Sequence, residues 1–450
     1  MKFFTKILNL LGVDGAIFYT SLGRILQGLG GIITLLFISK FMSKEEQGFY
    51  YTFSSVLAIQ IFFELGLGGI LTQFVAHEMA HLKVVNNIFI EGKQENRSRL
   101  ASILHFSLKW YALFASLLML ILIVAGFFYF SKYAQSSDVN WELPWVLVAI
   151  FTSLNLFISP IMAILQGMQK VKEMAKVLMM QQLIVMLSVW IGLTLGAKLY
   201  IAVINSAVAF IVLITCYIHF SYIKLLKNAF KYFIKEKVDY WKEIFPYQWK
   251  IALSWMSGYF IFQAFNPIIF AFYGPIAAGQ VGMTLVLVNA MVSLIANWSA
   301  TKIPKWSSLI AQKRYLELNN SLNIVLRQIV FISVIAIFLA NIAIIIGNYL
   351  QLGIMQRILP AELCFGLFLV VPFNAVIFTW AGYLRSNKKE PFLYLSLIIG
   401  ILSFLQIYIS AKYFDIATII IGYASVIIFI NFPMAYYIFK IKKKEYYGTV

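Results

Sequence analysis

The sequence predicts an all-α membrane protein with twelve transmembrane helices in two six-helix halves. Three observations lead to this prediction. Of the 450 residues, 61% are hydrophobic and 12% are charged, whereas about 25% of the residues in soluble domains are charged. Apolar runs long enough to cross ~30 Å of hydrocarbon recur along the whole chain. Basic residues cluster in alternate connections between these runs. Together they exclude a water-soluble enzyme, a disordered chain and an outer-membrane barrel.

The apolar runs fall into two groups of six, separated by a basic stretch. The first group comprises residues 16–39, 48–76, 106–130, 143–165, 174–197 and 199–222. The second group comprises residues 247–273, 276–300, 324–347, 362–384, 391–412 and 415–439. We therefore predict an N-terminal six-helix lobe over 1–222, a basic cytoplasmic linker over 223–246 and a C-terminal six-helix lobe over 247–450.

The distribution of positive charge orients the predicted spans. Of the 36 Lys and Arg residues, 29 lie in the terminal segments and in alternate loops, six lie on the other side, and Arg24 lies within the first span. Loops rich in Lys and Arg stay on the cytoplasmic side. The chain is therefore expected to be multi-pass with both termini cytoplasmic. Because the basic residues are scattered in small groups, no nucleic-acid partner is expected.

A segment at the end of the fourth span of each half reads alike without gaps. Residues 155–172 align with residues 374–391, which pairs Asn155 with Asn374 and Lys170 with Lys389. Such repeats are common in secondary transporters, whose substrates bind where the repeats meet. An apolar composition also produces chance matches, so the alignment favours an internal duplication and a transporter without excluding coincidence.

Two charged residues lie deep inside predicted spans, away from the span ends. Arg24 shares a helix face with Gln27 in the first span, and Glu64 shares a face with Gln60 and Gly68 in the second. A charge at the membrane centre costs at least ~2.5–3.5 kcal/mol, so such residues have a function or a partner. Two interpretations stay open: Arg24 and Glu64 form an ion pair that joins the two spans, or they contact a substrate or an ion.

Further polar side chains recur at helical spacing and predict a hydrated interior. These stripes fit interhelical hydrogen bonding as well as a cavity lining, and cations at span ends also fit the positive-inside bias. Glu64 is the candidate ion-coupling residue. The candidate substrate-binding residues are Arg24, Gln27, Gln60, Asn155, Gln166, Lys250, Asn289, Asn297, Lys302, Lys305, Asn374 and Arg385.

One segment matches a metalloprotease motif. Residues 77–81 read His-Glu-Met-Ala-His, the H-E-x-x-H pattern of a zinc-binding helix. No acidic third-ligand motif lies on a nearby span, and His77 falls at the end of span two. The sequence also contains no G-x-x-x-x-G-K-[ST] phosphate-binding loop. We therefore expect no catalytic residue, no metal and no cofactor.

Three segments carry a resemblance to a known family. They are SLGRILQGLGGIITLLFISKFMSKEEQGFYYTF with its arginine in span one, FELGLGGILTQFVA at the end of span two, and QGMQKVK, which is echoed by RSNKKEP. With twelve spans in two halves, the chain resembles the Wzx-type O-antigen and polysaccharide flippases of the multidrug/oligosaccharidyl-lipid/polysaccharide (MOP) exporter superfamily. The resemblance implies a fold like that of the MATE exporters, with V-shaped lobes around a central cavity.

The resemblance also implies a function. Members move an undecaprenyl-diphosphate-linked oligosaccharide, such as an O-antigen or other surface polysaccharide repeat unit, from the cytoplasmic to the periplasmic leaflet by alternating access. Coupling to H⁺ or Na⁺ is expected, as is a location in the bacterial inner membrane. The expected partners are the lipid-linked substrate, membrane lipids, a polysaccharide polymerase and a chain-length regulator, with the flippase itself a monomer.

Two other functions remain open from the sequence. A multidrug or organic-ion antiporter of the same fold would favour an acidic cavity, whereas this chain has few acids in its spans. A membrane-bound polysaccharide polymerase or acyltransferase would need catalytic residues at one face. The longest predicted outer loop, about 131–142, contains only Asp138 and Glu142 as acids.

Overall fold

The structure is a computed structural model that describes residues 15–86, 88–134, 137–387 and 389–448. These residues are nearly all helical, as the sequence predicts. The predicted cytoplasmic position of the termini falls on residues 1–14 and 449–450, which lie outside the described residues. The helices of the first half are α1 Gly15–Phe41, α2 Lys44–Leu57, α3 Ile61–Glu64, α4 Leu67–Met79, α5 Gln94–Tyr133, α6 Glu142–Gly167, α7 Val171–Thr194 and α8 Ile201–His219.

The second half follows a connection that contains α9 (Tyr222–Phe230) and a π-helical turn (Tyr240–Ile244). Its helices cover the predicted spans from 247–273 onward, with a second π-helical segment (Val426–Asn431) in the last span. They are α10 Phe245–Phe262, α11 Phe265–Ala300, α12 Ile303–Ala311, α13 Tyr315–Tyr349, α14 Ala361–Phe368, α15 Val370–Arg385, α16 Leu393–Tyr413, α17 Ile416–Ser425 and α18 Phe432–Tyr447.

The described residues contain ten helical stretches that are long and apolar enough to cross a membrane, or eleven if the bent pair Lys44–Glu64 and Leu67–Met79 is one span. One of the ten, Gln248–Ala311, has 64 residues. It is not one continuous helix, because it comprises most of α10 together with α11 and α12, with short turns at residues 263–264 and 301–302. It contains two predicted spans, 247–273 and 276–300, and its backbone breaks at Gly274, where φ is 80° and ψ is −179°. Dividing it there gives the twelve predicted spans.

The outer surfaces of the helices are apolar, as membrane-spanning helices require. On α5, Leu120, Val124 and Phe128 are 58–73% exposed and lie one helical turn apart, whereas Leu118 and Leu122 are buried. The exposed stripe is therefore a large apolar face, which a soluble protein would bury. Hydrocarbon chains of lipids satisfy such a face without cost. The chain is a multi-pass membrane protein.

The chain folds into two compact units. The first unit comprises the described residues of Met1–Phe41 together with Leu57–Ala252. The second comprises Met42–Val56 together with the described residues of Leu253–Val450. The unit boundary near residue 252 lies a few residues beyond the predicted linker, so the segment 223–246 is part of the first unit. Sequence reasoning did not anticipate that most of α2 would join the second unit.

Contacts within the second unit explain the position of α2. The Gln47 Nε2 atom donates to the carbonyl oxygens of Gly279 and Arg357, both at 2.9 Å. A side chain at Gly48 would collide with the backbone of Pro275. A glycine is therefore required here by close backbone approach, and α2 packs directly against α11.

The basic connection after α8 is fixed to the first unit rather than free in solution. Tyr232 Oη accepts a hydrogen bond from the Ile90 N–H at 3.1 Å and donates to the Ile90 carbonyl at 2.8 Å. Ile90 lies in a small hairpin of β1 (Leu82–Val85) and β2 (Phe89–Gly92), which the all-α prediction did not contain. The Ser98 hydroxyl accepts hydrogen bonds from the backbone of Lys235 and Glu236, both at 2.8 Å.

Candidate substrate and ion sites

The second transmembrane span of the first unit is broken where its acidic residue lies. α3 ends at Glu64, and the next two residues, Leu65 (φ 49°) and Gly66 (φ 65°), have left-handed backbone conformations before α4 begins. A Cβ atom at Gly66 would run into the Ile251 side chain, so only glycine fits both the conformation and the space. Broken helices in transporters place backbone polar groups beside bound ions and substrates.

The Glu64 carboxylate lies close to the start of α4 in the first unit. Its Oε1 is 3.2 Å from the position of a Cβ added at Gly68, so the side chain folds back over the start of α4. The Tyr111 hydroxyl is within electrostatic reach of Glu64 and contacts Ser159. That hydroxyl is fully buried, and its contact with Ser159 does not meet regular hydrogen-bond geometry. Glu64, Tyr111 and Ser159 therefore form a small polar group inside the first unit.

Pro160 changes the hydrogen bonding of α6 close to Tyr111. Pro160 has no N–H, so the carbonyl of Leu156 lacks its helical partner. Ser159 supplies that partner, because its hydroxyl donates to the Leu156 carbonyl at 2.9 Å. One turn further on, Thr72 of α4 donates to the Ala163 carbonyl at 3.0 Å. These bonds hold the broken span against α6, and Ser159 lies beside Tyr111, which is within electrostatic reach of Glu64.

The structure bears on the two interpretations of Arg24 and Glu64. α1 packs on α7 through Gly23 and Gly30, next to Gln182 and Met186. Arg24 is exposed, and so is Gln27, which lies beside it on the predicted polar face. Glu64 forms no ion pair with any described residue. An Arg24–Glu64 ion pair that joins spans one and two is therefore not present in the described structure.

The other candidate residues of the first unit differ in their surroundings. The Asn155 Nδ2 atom donates to the carbonyls of Phe151 and Ser206, both at 2.8 Å, so its side chain ties α6 to α8. Gln60 and Gln166 are half-buried, and Lys250 is exposed on α10. The structure thus assigns Asn155 to interhelical hydrogen bonding, the alternative that the sequence left open.

The second unit contains a cavity of about 350 Å³ among its helices. It brings together two predicted residues, Asn289 and Asn374, and the buried Asn374 side chain lies beside the Tyr423 hydroxyl. Sequence reasoning missed Gln263, Phe378 and Tyr423 because nothing in the sequence identified their neighbours. We call it the inner cavity; its lining is Phe262, Gln263, Phe265, Leu285, Val288, Asn289, Val292, Leu367, Asn374, Phe378 and Tyr423.

A second cavity of about 590 Å³ lies along α12 and the end of α15. Its cationic lining residue, Arg385, makes a two-pronged ion pair with Glu390, with N–O distances of 2.7 and 2.6 Å. We call it the outer cleft; its lining is Ala296, Ser299, Ala300, Ile303, Ser307, Ile310, Ala311, Phe378, Gly382, Arg385, Ser386 and Asn387.

Only some of the candidate cationic residues of the second unit lie at a cavity. Lys302 directly precedes α12 and is half-buried, and Lys305 is exposed on α12. Neither lysine is among the residues that line the two cavities. The Asn297 side chain lies outside the described part of the chain. Arg385 is thus the cation that the structure places at a cavity, and its charge is shared with Glu390.

One helix face connects the two cavities of the second unit. Phe378 lines both the inner cavity and the outer cleft. Asn374, Phe378, Gly382 and Arg385 follow at intervals of four, four and three residues, which places them on one face of α15. This face is about 16 Å long, at 1.5 Å per residue. Phe378 therefore stands between a neutral cavity and a cleft that carries Arg385.

The H-E-x-x-H segment has a structural explanation. The Glu78 carboxylate is buried and accepts hydrogen bonds from Asn96 Nδ2 at 2.7 Å and Arg99 Nε at 2.9 Å. Arg99 also pairs with Glu243 at 2.7 Å. Burial raises the pKa of Glu243, but hydrogen bonds from the Asp239 backbone and from Arg99 outweigh this effect and bring that pKa below its usual value. Among the described residues, no three His, Cys, Asp or Glu side chains come together.

Structural comparison finds transporters that match nearly the whole chain. An inward-facing multidrug resistance MATE family transporter of the MOP superfamily has a TM-score of 0.63 at 12% identity, over 96% of this chain and 99% of that one. The lipid II flippase MurJ, in an inward closed conformation, has a TM-score of 0.60 at 14% identity, over 95% of this chain and 90% of that one. The protein has the MATE and MurJ fold. An outward-facing MATE transporter of the same superfamily also matches, with a TM-score of 0.58.

These similarities concern the fold, because the identities are 14% or lower. No protein-family model matches the sequence, and no curated protein matches it. The predicted transmembrane fold is confirmed, and the matching structures are transporters and flippases rather than enzymes.

Proposed function

We propose that this protein is a flippase for an undecaprenyl-diphosphate-linked oligosaccharide. In this proposal it moves an O-antigen or other surface polysaccharide repeat unit from the cytoplasmic to the periplasmic leaflet of the bacterial inner membrane by alternating access. The observation that carries the proposal is the chemistry of the two cavities in the second unit. Their described lining offers amide, hydroxyl and aromatic groups and Arg385, with no carboxylate.

This lining fits a sugar–diphosphate better than an organic cation. Sugars present hydroxyl groups, which amide side chains bind as both donors and acceptors. Phosphate groups favour arginine, whose planar fork donates two parallel hydrogen bonds. Arg385 would bind a phosphate by exchanging its present partner, Glu390. An exporter of organic cations would instead need acidic groups to focus positive charge in its cavities. The fold supports the proposal, because it is shared with the lipid II flippase MurJ.

In the first unit, Arg24 is the proposed contact for the diphosphate or for an adjacent acidic sugar. It is exposed on the same face of α1 as Gln27, away from the face that packs on α7. Glu64 is the proposed coupling residue, since a carboxylate at a broken helix can hold H⁺ or Na⁺. Exchange of that ion as the site opens to either side would link transport to an ion gradient.

The decisive experiment is reconstitution of the purified protein in proteoliposomes with a labelled undecaprenyl-diphosphate-linked oligosaccharide. We expect the wild type to equilibrate the label between leaflets, measured as label that an external lectin can reach. Arg24→Ala should reduce the rate more than tenfold, and Arg24→Lys should retain part of it, because charge persists without the guanidinium fork. The control is Arg314→Ala, which removes an exposed arginine that pairs with Glu317 and lines neither cavity.

Three results would contradict the proposal. A wild-type protein that leaves the labelled lipid in one leaflet is not a flippase for it. Gradient-driven transport of ethidium in the same vesicles would indicate a multidrug antiporter. A polymerised or acylated product in the vesicles would indicate an enzyme.

A further inference from the structure

The inner cavity of the second unit is lined by both polar and aromatic side chains. It has polar groups, aromatic rings and no ionisable side chain other than Tyr423 among its described lining residues. We infer that this cavity is a binding site for one neutral sugar ring, which enters through the outer cleft past Phe378. The inference rests on the proposed function, since it identifies which part of the lipid-linked substrate the second unit would hold.

The polar groups of the inner cavity suit hydroxyl ligands. Gln263, Asn289 and Asn374 each carry an amide that can donate two hydrogen bonds and accept two. Asn374 lies beside the Tyr423 hydroxyl, and both side chains are buried. Gln263 lies in the short break between α10 and α11. The amides therefore come from three different stretches of chain and converge on one space.

The aromatic side chains supply the flat apolar walls that a sugar ring needs. Phe265 packs edge-on against Tyr423 with ring centroids 4.7 Å apart. Phe262 packs against Phe378 with centroids 6.1 Å apart. Ligand pockets are lined mainly by apolar and aromatic groups, with a few polar groups that fix orientation. A pyranose matches this pattern because its C–H faces are apolar and its rim carries hydroxyls.

The lack of charge and the small volume of the inner cavity further restrict the class of ligand that it can bind. A charged group in the inner cavity would lose its hydration with no described counter-charge in the lining, which costs several kcal/mol per ion. The volume of about 350 Å³ is at the low end of the ~300–1,000 Å³ range of ligand pockets. It therefore suits one ring rather than a chain of sugars. The larger outer cleft, with Arg385 and three serines, is suited to the remainder of the ligand.

Phe378 controls access in this arrangement. Its side chain lines both cavities and is 39% exposed, so it is packed on one side and free to turn on the other. Rotation of the ring would join the outer cleft to the inner cavity along the same face of α15. A larger ring at this position would keep the two spaces separate.

The test is saturation-transfer NMR on the full-length protein in lipid nanodiscs. The probes are methyl β-glucopyranoside and methyl N-acetyl-β-glucosaminide, with tetramethylammonium as the charged comparison. We expect saturation transfer to the two glycosides and none to tetramethylammonium. Phe378→Trp should reduce transfer at least threefold, and Asn289→Ala should weaken binding roughly threefold to tenfold, which is the effect of one lost hydrogen bond.

Two matched controls separate the site from general disturbance of the fold. Phe338→Trp enlarges an aromatic ring that is 64% exposed on α13. Asn341→Ala removes an amide that bonds to the Ile337 carbonyl of its own helix. Both controls should bind the glycosides as the wild type does. Thermal unfolding of each variant shows whether it is folded, and Asn289, which is exposed in the cavity, provides a variant with little packing to lose.

The outcomes distinguish this inference from the proposed function. Unchanged glycoside binding in Phe378→Trp and Asn289→Ala, or transfer to tetramethylammonium alone, overturns the inference, as does the absence of any transfer in the wild type. If the glycosides bind as expected but the lipid-linked oligosaccharide is not flipped in proteoliposomes, the sugar site stands and the proposed function fails. If the lipid is flipped but no glycoside binds, the function stands and the sugar site fails.

Discussion

Helices α6 and α15 occupy equivalent places in the sequence alignment of the two halves, yet their polar faces are used differently. The alignment offset of 219 residues pairs Asn155 with Asn374 and Ser159 with Phe378. In the first unit, Asn155 bonds to a carbonyl of α8. In the second, Asn374 lies beside Tyr423 and lines a cavity. An asparagine within a span therefore either joins two helices by a hydrogen bond or lines a cavity, depending on the groups that the neighbouring helix places beside it.

The residues one turn further on extend the difference. At position six of the aligned segments, α6 has Pro160 and α15 has Thr379. Pro160 leaves the Leu156 carbonyl to Ser159, whereas Thr379 donates to the Ala375 carbonyl within an intact helix. The proline-containing helix thus carries a small hydroxyl beside Tyr111, which is within electrostatic reach of Glu64. The intact helix presents the large ring of Phe378 to a neutral cavity. A single ancestral pattern would yield an ion site in one half and a ligand cavity in the other.

The largest effect expected from this difference concerns the acid beside α6. Glu64→Gln should lower gradient-driven transport more than tenfold, because an amide cannot take up a proton or balance a cation. Since Glu64 forms no ion pair with a described residue, the variant should not suffer the ~3–5 kcal/mol loss that follows from breaking a buried pair. Transport in proteoliposomes, with and without an imposed H⁺ or Na⁺ gradient, measures the effect.

The matched control is Glu362→Gln, which changes an exposed acid at the start of α14. It should keep full gradient dependence. A stable Glu64→Gln protein with unchanged gradient dependence would show that Glu64 is not the ion-coupling residue. A strongly destabilised protein would indicate that Glu64 forms a permanent ion pair.

The next effect concerns the tyrosine that faces Ser159. Tyr111→Phe should slow gradient-driven transport roughly threefold to tenfold, as expected for one lost hydrogen bond to the ion or its water. The free energy of unfolding should change little, because the contact of the Tyr111 hydroxyl with Ser159 does not meet regular hydrogen-bond geometry. Chemical unfolding in detergent and the transport assay together test both statements.

Tyr217→Phe is the control for this change, since the Tyr217 hydroxyl in α8 is also buried without a described partner. It should be as stable as Tyr111→Phe and transport normally. Equal transport losses in the two variants would show that the effect comes from packing rather than from the ion site.

A smaller effect should separate the two aligned asparagines. Asn155→Ala should lower the free energy of unfolding by ~1–3 kcal/mol, because it deletes hydrogen bonds to Phe151 and Ser206 inside the bundle. Flipping per folded molecule should remain near the wild-type rate. Asn374→Ala should instead reduce glycoside binding. If the two variants change stability, flipping and glycoside binding in the same way, the two asparagines do not have different roles.

The smallest effect is expected at a later aligned pair, Gln166 and Arg385. Arg385→Gln gives α15 the residue that α6 carries and removes the ion pair with Glu390, which is half-exposed. Such pairs contribute about 0–1 kcal/mol. A double-mutant cycle with Glu390→Gln, measured by thermal unfolding, should give a coupling energy in that range. A larger value would show that the pair supports the wall of the outer cleft.

The extent of the membrane spans could be predicted because it depends on local composition. The predicted apolar runs fall mainly on helix in the structure, although 48–76 and 247–273 contain the breaks at residues 65–66 and 263–264. The long stretch that includes Gly274 contains two of the runs. The polar stripes were also readable, since a period of 3.6 residues places Arg24 and Gln27 on one face. These features require no knowledge of the neighbouring helices.

Features that depend on neighbours could not be predicted. The break at Leu65 has a visible glycine beside it, but its purpose depends on the Ile251 side chain. Asn155 joins two helices because it bonds to a carbonyl of α8 that lies about fifty residues away in the sequence. Tyr111 and Tyr423 are ordinary aromatic residues of apolar spans until their partners are known. In each case the chemistry lies in pairs of residues that the sequence separates widely.

The transfer of α2 to the second unit has a consequence for the order in which the protein is made. Phe49 packs on Phe270 with ring centroids 5.0 Å apart, and Gln47 bonds to Gly279 and Arg357. Residues Met42–Val56 leave the ribosome about 200 residues before the rest of their unit, a delay of about 10–40 s at 5–20 residues per second. During this interval their inward-facing polar groups lack final partners inside the membrane. The insertion machinery or another helix must shelter them until α11 arrives, so biogenesis cannot proceed as two successive independent halves.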